Sequence, residues 1–248
     1  MRLIGITGGI GTGKSTVTDY LQTRSHLPIW DADLYARSAV TTGSPILQAI
    51  EQRYGAKILQ PDGTLDRHRL GEIVFSDLNE RQWLSAQIHP YVRNCFEIEI
   101  DRLAPDGTAI LAIPLLFEAK MTDLVTEIWV VSCDRITQLN RIMTRDRLSE
   151  TAAKNRIHSQ MSLTDKIDLA DFNLDNATNI TDLERQIDSK LRRCWIDVCL
   201  REDWATGELA RLRSVTTDPV ERLPLGELQG NACGVGVALP LAVLHQRN

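Results

Sequence analysis

Along the chain, short unbroken apolar runs are separated by longer amphipathic stretches. The first run, within Arg2 to Thr7, predicts a buried strand. Glycines follow it, and Lys14 to Thr23 then reads as a helix with Val17 and Leu21 on one face. His26 to Trp30 predicts a second strand, which Pro28 places at a sheet edge or at the strand's beginning. Ala109 to Ile113 (stopped by Pro114), Glu127 to Ser132 and Phe172 to Leu174 predict three more. Strands parted by helical stretches indicate βαβ units, and so an α/β protein with a parallel sheet covered on both faces.

Two regions break the alternation. Asp66 to Leu103 is long and mostly helical, with no strand before Ala109, which reads as an insertion of the kind that forms an acceptor site. His89-Pro90 is expected to end the helical run RQWLSAQI within it. Asp134 to Ala170 is charged and strongly helical, and a polar helical pair so rich in cations is expected to lie over a site rather than inside a core. Helical patterning continues to about Arg213; beyond it Pro, Gly and Val mix without a period, which predicts an irregular or poorly ordered appendage, with an extra packed element as the alternative.

Composition narrows the class. The 248 residues carry 28 Lys+Arg against 33 Asp+Glu, a net charge of −5, and 43% are apolar, enough for a sizeable core. A pI near 5.6 and only 5% aromatic residues argue against a nucleic-acid-binding face. The cysteines Cys95, Cys133, Cys194, Cys199 and Cys233 form no C-x-x-C pair, so neither a zinc knuckle nor a disulfide framework is indicated, and a reducing compartment is expected. The segment MRLIGITGGIG lacks the long apolar region and cleavage site of a signal peptide, and Asn231 to Leu244 is too short and too interrupted to span a membrane. The expectation is a soluble cytoplasmic protein without a nucleic-acid or membrane partner, as a monomer or weak homo-oligomer.

Chemistry enters at Gly8-Gly9-Ile10-Gly11-Thr12-Gly13-Lys14-Ser15, which fits G-x-x-x-x-G-K-[ST] directly after a strand and before a helix. Glycines let the backbone turn so that N–H groups from Gly11 to Thr16 face phosphate oxygens. Lys14 then reaches the β- and γ-phosphates of a nucleoside triphosphate, and the Ser15 hydroxyl holds Mg²⁺. Asp31 and Asp33 follow the second strand, at the edge where α/β sheets bind ligands. One carboxylate can serve near Mg²⁺ and the other as a base for a hydroxyl acceptor; alternatively either caps the helix Leu34 to Val40. Arg141 and Arg145, four apart, share a helix face and can meet the transferring phosphoryl group, with Arg37 a further cation near the carboxylates. Asp146, Glu150 and Lys154 offer the alternative of a solvated face. His89 can touch the acceptor or serve the structure, and Glu118 can organise the site or close a strand end. Neither a kinase for another small hydroxyl acceptor nor a regulatory nucleotide switch is excluded by these residues alone, although no N-K-x-D-like guanine-reading segment accompanies the loop.

Taken together, IGITGGIGTGKSTV, DADLYAR, the IHPYV segment, IPLLFE, and QLNRIMTRD followed by RIHSQ resemble the dephospho-CoA kinase family, in the family's order over roughly residues 1–200. The resemblance implies a three-layer P-loop fold with a five-stranded parallel sheet, a helical acceptor-binding insertion and a helical lid. It divides 1–205 into core (1–65, 106–133 and 171–205), insertion (about 66–105) and lid (about 134–170), and leaves 206–248 as an extension of unknown role. It implies transfer of the ATP γ-phosphoryl group to the ribose 3′-hydroxyl of dephospho-CoA. Asp33 then looks like the base, Asp31 lies nearer the metal, Arg141 and Arg145 look like lid arginines, and Asn176 lies near adenine. One departure matters: where many relatives carry an acidic residue before I-P-L-L, this chain has Ala112, leaving Asp31 and Ser15 for Mg²⁺.

Overall fold

The computed structural model describes residues 1–192. Of the sequence expectations, those for the helical stretch toward Arg213, for 193–205, for the 206–248 extension and for Cys194, Cys199 and Cys233 lie outside the described residues. Residues 1–184 lie in one compact unit and 185–192 in another.

The strands β1 (Arg2–Gly8), β2 (Ile29–Asp31), β3 (Thr108–Ala112), β4 (Glu127–Ser132) and β5 (Phe172–Asp175) form one parallel sheet in the order β2-β3-β1-β4-β5. β1, β3 and β4 are buried almost throughout, as strands with both faces covered must be. Register puts the last residues of β2 and β3, Asp31 and Ala112, in one row with Ile6 of β1, while β4 and β5 end together at Ser132 and Asp175, one residue past the Gly8–Val131 pair. All five carboxyl ends therefore open on one edge, and β1 carries on past that row to Gly8. Strands about 4.8 Å apart put Asp31 roughly 10 Å from β1, across the one intervening strand.

The second strand is shorter than its apolar run suggested. His26 adopts a left-handed conformation, φ 52°, at the end of helix α1 (Lys14–Ser25), so the chain is still turning there. Pairing begins with the Pro28 carbonyl, which accepts from the Ile110 N–H at 2.9 Å. The position is an edge strand, where a residue lacking an N–H is tolerated.

Four helices separate β2 from β3: α2 (Ala32–Ala39), α3 (Pro45–Tyr54), α4 (Arg67–Ser76) and α5 (Leu78–Arg102). The insertion expected over 66–105 holds the last two. Contrary to expectation, His89-Pro90 does not end its helix; α5 continues through Pro90 for twelve residues to Arg102. An interior proline costs about 3 kcal/mol. Against it stand Leu84, Ile88, Val92 and Phe96, fully buried at four-residue spacing, each worth about 1.5–3 kcal/mol. Packing outweighs the local penalty. The Phe96 ring meets the Tyr35 ring of α2 edge-on, centroids 5.1 Å apart, which fixes α2 on α5. Leu3, Ala109, Leu111 and Ile113 join these helices in one core, whereas Ala112, out of phase with them, faces the opposite side of β3.

After β4 come α6 (Arg135–Asp146), α7 (Glu150–His158) and α8 (Leu163–Asp168). The charged segment is thus three helices rather than a pair, and it is anchored as well as superposed: Gln138, Ile142, Ala153 and Lys166 are all buried. Among the described residues, no helix is long and apolar enough to cross a membrane. Cys95 and Cys133 are free thiols.

Candidate active site

β1 delivers the glycine-rich loop to the middle of the open sheet edge, and α1 starts at Lys14. Gly11 and Gly13 take φ of 78° and 92°, values that a side chain would make strained. At Gly13 a Cβ would also lie 2.0 Å from the Asn176 amide nitrogen, so only glycine fits. Thr12 is wholly buried, and its N–H and hydroxyl both donate to the Gly9 carbonyl, at 3.3 and 2.9 Å. The Thr16 N–H donates to the Gly13 carbonyl at 3.0 Å. Two of the six N–H groups expected to face phosphate are therefore engaged inside the loop, which tightens the turn. Those of Gly11, Gly13, Lys14 and Ser15 have no backbone partner among the described residues, and they start a helix whose positive end attracts anions.

Side chains from distant segments grip this loop. The Gln138 amide of α6 donates to the Ile10 carbonyl at 2.8 Å, and the Ile10 N–H donates to the Gln160 side chain at 2.9 Å. Asn176, just past β5, donates to the Thr12 carbonyl at 2.8 Å. Arg141 donates to the Thr12 carbonyl at 3.4 Å and to the Asn176 carbonyl at 3.0 Å. Arg141 and Asn176, expected over the γ-phosphoryl group and near adenine, here brace the flank of the phosphate loop. Beneath it, the Lys166 ammonium lies 2.9 Å from Glu118 and within 3.3 and 3.5 Å of the Pro114 and Gly8 carbonyls.

Arg145 does not share Arg141's surroundings. Its guanidinium forks onto the adjacent Asp146 carboxylate at 2.7 and 2.9 Å, and Arg156 of α7 takes the same carboxylate at 2.8 Å. Arg156 also lies over the Phe75 ring of α4, 5.7 Å from its centroid, so α7 meets the insertion. The pairing with Asp146 that the sequence left open for Arg145 is the one the structure adopts.

On the other side of the loop, Asp31 ends β2 and caps α2, accepting from the Asp33 N–H at 2.7 Å. Capping falls to Asp31 and the helix starts at Ala32, two residues before the sequence placed it. Asp33 sits in the first turn with 6% exposure, aligned with buried Ala36 on the packed face. The helix terminus favours its negative charge there. Arg37 stands one turn further along α2, and Arg67 opens α4. Burial pushes the Arg67 guanidinium's pKa down, and nearby Arg37 pushes it further. A perturbed cation beside a second one marks this side as a candidate part of the site. His89 lies in α5, against which α2 packs; its Nε2 is buried without a hydrogen-bond partner, and burial lowers its pKa.

Arg67 and Lys166 carry no sequence signal of their own, and Gln138 and Gln160, at the ends of the stretches QLNRIMTRD and RIHSQ, carry none that assigns them a role. Arg67 stands in the run Asp66-Arg67-His68-Arg69, where nothing separates it from Arg69. The three that hold the loop and its base are remote from it along the chain, and only the tertiary fold brings them there.

No cluster of three or more His, Cys, Asp or Glu residues able to hold a metal exists among the described residues. By donor type, the Ser15 hydroxyl and the Asp31 carboxylate would suit a Mg²⁺ ion that keeps most of its ligands as water and phosphate oxygens. Asp31 spends one oxygen on its cap and keeps the other.

The model for the family described as dephospho-CoA kinase matches residues 2–182. A dephospho-CoA kinase from Synechocystis is 57% identical over 75% of this chain and 92% of its own, and one from Trichormus variabilis is 53% identical over 77% and 96%. A crystal structure of a Thermus thermophilus protein aligns with a TM-score of 0.65 at 32% identity, covering 77% of this chain and 97% of that one. The dephospho-CoA kinase from Campylobacter jejuni aligns with a TM-score of 0.60 at 27% identity, over 78% and 98%. With a P-loop at the sheet edge, a family model spanning most of the described residues, and relatives sharing half or more of their residues, the chain belongs to the dephospho-CoA kinase family.

Proposed function

We propose that the chain transfers the γ-phosphoryl group of ATP to the ribose 3′-hydroxyl of dephospho-CoA, giving coenzyme A and ADP. The observation that carries this reading is the shared sheet edge: N–H groups of Gly11, Gly13, Lys14 and Ser15 without a backbone partner among the described residues at the end of β1, and buried Asp33 just past the end of β2. Those N–H groups and the Lys14 ammonium cradle the β- and γ-phosphates. Ser15 and Asp31 would hold Mg²⁺, which would supply charge to offset that of the phosphate oxygens. Asp33 accepts the proton of the attacking hydroxyl, a task that requires a carboxylate in contact with the acceptor.

The acceptor side is supplied by α2, α4 and α5. Arg37 and Arg67 meet the anionic diphosphate of dephospho-CoA, and His89 lines the same side. The moving charge is met from α6, where Arg145 leaves Asp146 for the phosphoryl group as the segment around α7 closes. Arg141 and Asn176 keep the loop shaped for that charge. Positioning and charge stabilisation thus carry the catalysis, with no covalent intermediate on the protein.

The reading is tested by ADP release from Mg²⁺-ATP with dephospho-CoA, adenosine, AMP or no acceptor, followed by product identification. Release that requires dephospho-CoA and yields coenzyme A is expected. Release with another acceptor alone would keep a P-loop kinase and discard this substrate.

A further inference from the structure

Lys166 is the one fully buried lysine among the described residues, and no step above uses it. It stands on α8, in the segment expected to close over the site, yet its ammonium reaches under the phosphate loop. Its nearest partner is Glu118 at 2.9 Å, from the turn after β3. It also approaches two carbonyls, Pro114 at 3.3 Å and Gly8 at 3.5 Å. Gly8 is the last residue of β1 and the first of the loop; Pro114 follows β3 and also accepts from the buried Thr7 hydroxyl at 3.0 Å. Glu118 in turn accepts from the Met161 N–H at 3.0 Å, and the neighbouring Gln160 side chain holds the Ile10 N–H at 2.9 Å. One connected set of contacts thus runs from α8 through Lys166 and Glu118 to both ends of the loop's outer half.

We propose that Lys166 is a positioning residue for ATP: held by Glu118, its ammonium fixes the Gly8 and Pro114 carbonyls, and with them the corner at which β1 becomes the phosphate loop. The claim rests on the ATP-binding reading of the loop. Its physical basis is the cost of the arrangement. A buried ion pair is commonly no more stabilising than apolar side chains of the same volume, so stability alone does not call for a charge here. A charge does direct its donors at two carbonyls, which an apolar side chain cannot do. The N–H groups that cradle phosphate begin three residues after Gly8, so a shift at that corner is passed to them along a short, tightly turned backbone.

The test separates position from stability. Lys166→Met alone leaves the Glu118 carboxylate without its cation and is expected to destabilise the fold. The double variant Lys166→Met/Glu118→Gln removes both charges and is expected to recover the wild-type unfolding midpoint. Its KM for ATP is nevertheless expected to stay raised about tenfold, with KM for dephospho-CoA unchanged, because a misplaced loop affects the donor alone. Glu118→Gln by itself keeps an acceptor for the Met161 N–H and for Lys166, and gives an independent reading if the double variant folds poorly. Its KM for ATP should rise in the same direction, by about threefold. Wild-type KM for ATP in the folded variants overturns the proposal, as does a KM that recovers together with stability in the double variant. Failure of the wild-type chain to bind ATP removes the functional reading as well, so the two failures are told apart.

Discussion

Asp31 and Asp33 are two residues apart and meet different surroundings. Asp31 ends an edge strand and spends one carboxylate oxygen on a helix cap, while Asp33 is buried in the first turn of the helix so capped. Asp33→Asn keeps shape and removes basicity; kcat should fall by about 10²–10⁴, the usual worth of a general base, with little change in KM for ATP. Steady-state kinetics at saturating acceptor would check it, and undiminished kcat would rule out Asp33 as the base. Asparagine caps a helix as well as aspartate does. Asp31→Asn should therefore leave the unfolding midpoint unchanged and raise the Mg²⁺ concentration needed for half-maximal rate. Unaltered Mg²⁺ dependence would leave Asp31 with the cap alone. The sequence named both carboxylates, but which one caps could be read only from where the helix begins, a matter of one hydrogen bond.

At the scale of elements, the segment between β4 and β5 divides into parts tied directly to the phosphate loop and a part that lies between those ties. The start of α6 is tied to the phosphate loop by Gln138 and Arg141, and α8 is tied beneath it by Lys166. Between them lie the end of α6, α7, and a turn at Arg147, whose φ of 51° is left-handed. That conformation costs a non-glycine residue about 1–2 kcal/mol, part of which glycine returns as extra freedom in the unfolded chain. Arg147→Gly is thus expected to stabilise the folded state by about 0.5–1 kcal/mol, read from the denaturant midpoint, as glycine ending a helix commonly does. An unchanged or lower midpoint would mean that the arginine side chain contributes more than the turn costs. Charge density in the sequence marked this region as lying over a site. Charge density could not mark Lys166, because a lysine that will be buried looks, in sequence, like its exposed neighbours.

For the molecule as a whole, burial of titratable groups ties stability to pH. His89 is favoured in its neutral form, since burial places its folded pKa below the ordinary 6.5. Between the two values the unfolded chain binds the extra proton and the folded chain does not. The stability owed to neutral His89 is therefore complete above pH 6.5 and declines as pH falls through it. Thermal unfolding from pH 7.5 to 5 should show that decline in the wild type and a shallower one in His89→Gln. Equal slopes would mean that His89 takes up its proton in the folded chain as readily as in the unfolded one. The same helix shows how global packing overrides a local signal: Pro90 is a strong stop, but four apolar side chains buried on one face of α5 carry the helix through it.

What the sequence determined by itself was whatever depends on near neighbours along the chain. Runs of apolar residues specify buried strands, strands alternating with helices specify a parallel sheet, and G-x-x-x-x-G-K-S between a strand and a helix specifies a phosphate loop, because each is a local pattern with one favoured geometry. The order of the strands, the burial of Asp33 and the bridging of Asp146 by Arg156 of the next helix were decided only in three dimensions. So was the grip on the loop by Gln138, Gln160, Asn176 and Lys166, which come from more than a hundred residues away. These depend on contacts between distant segments. Their energies arise from burial and hydrogen bonding that do not exist until the sheet has formed.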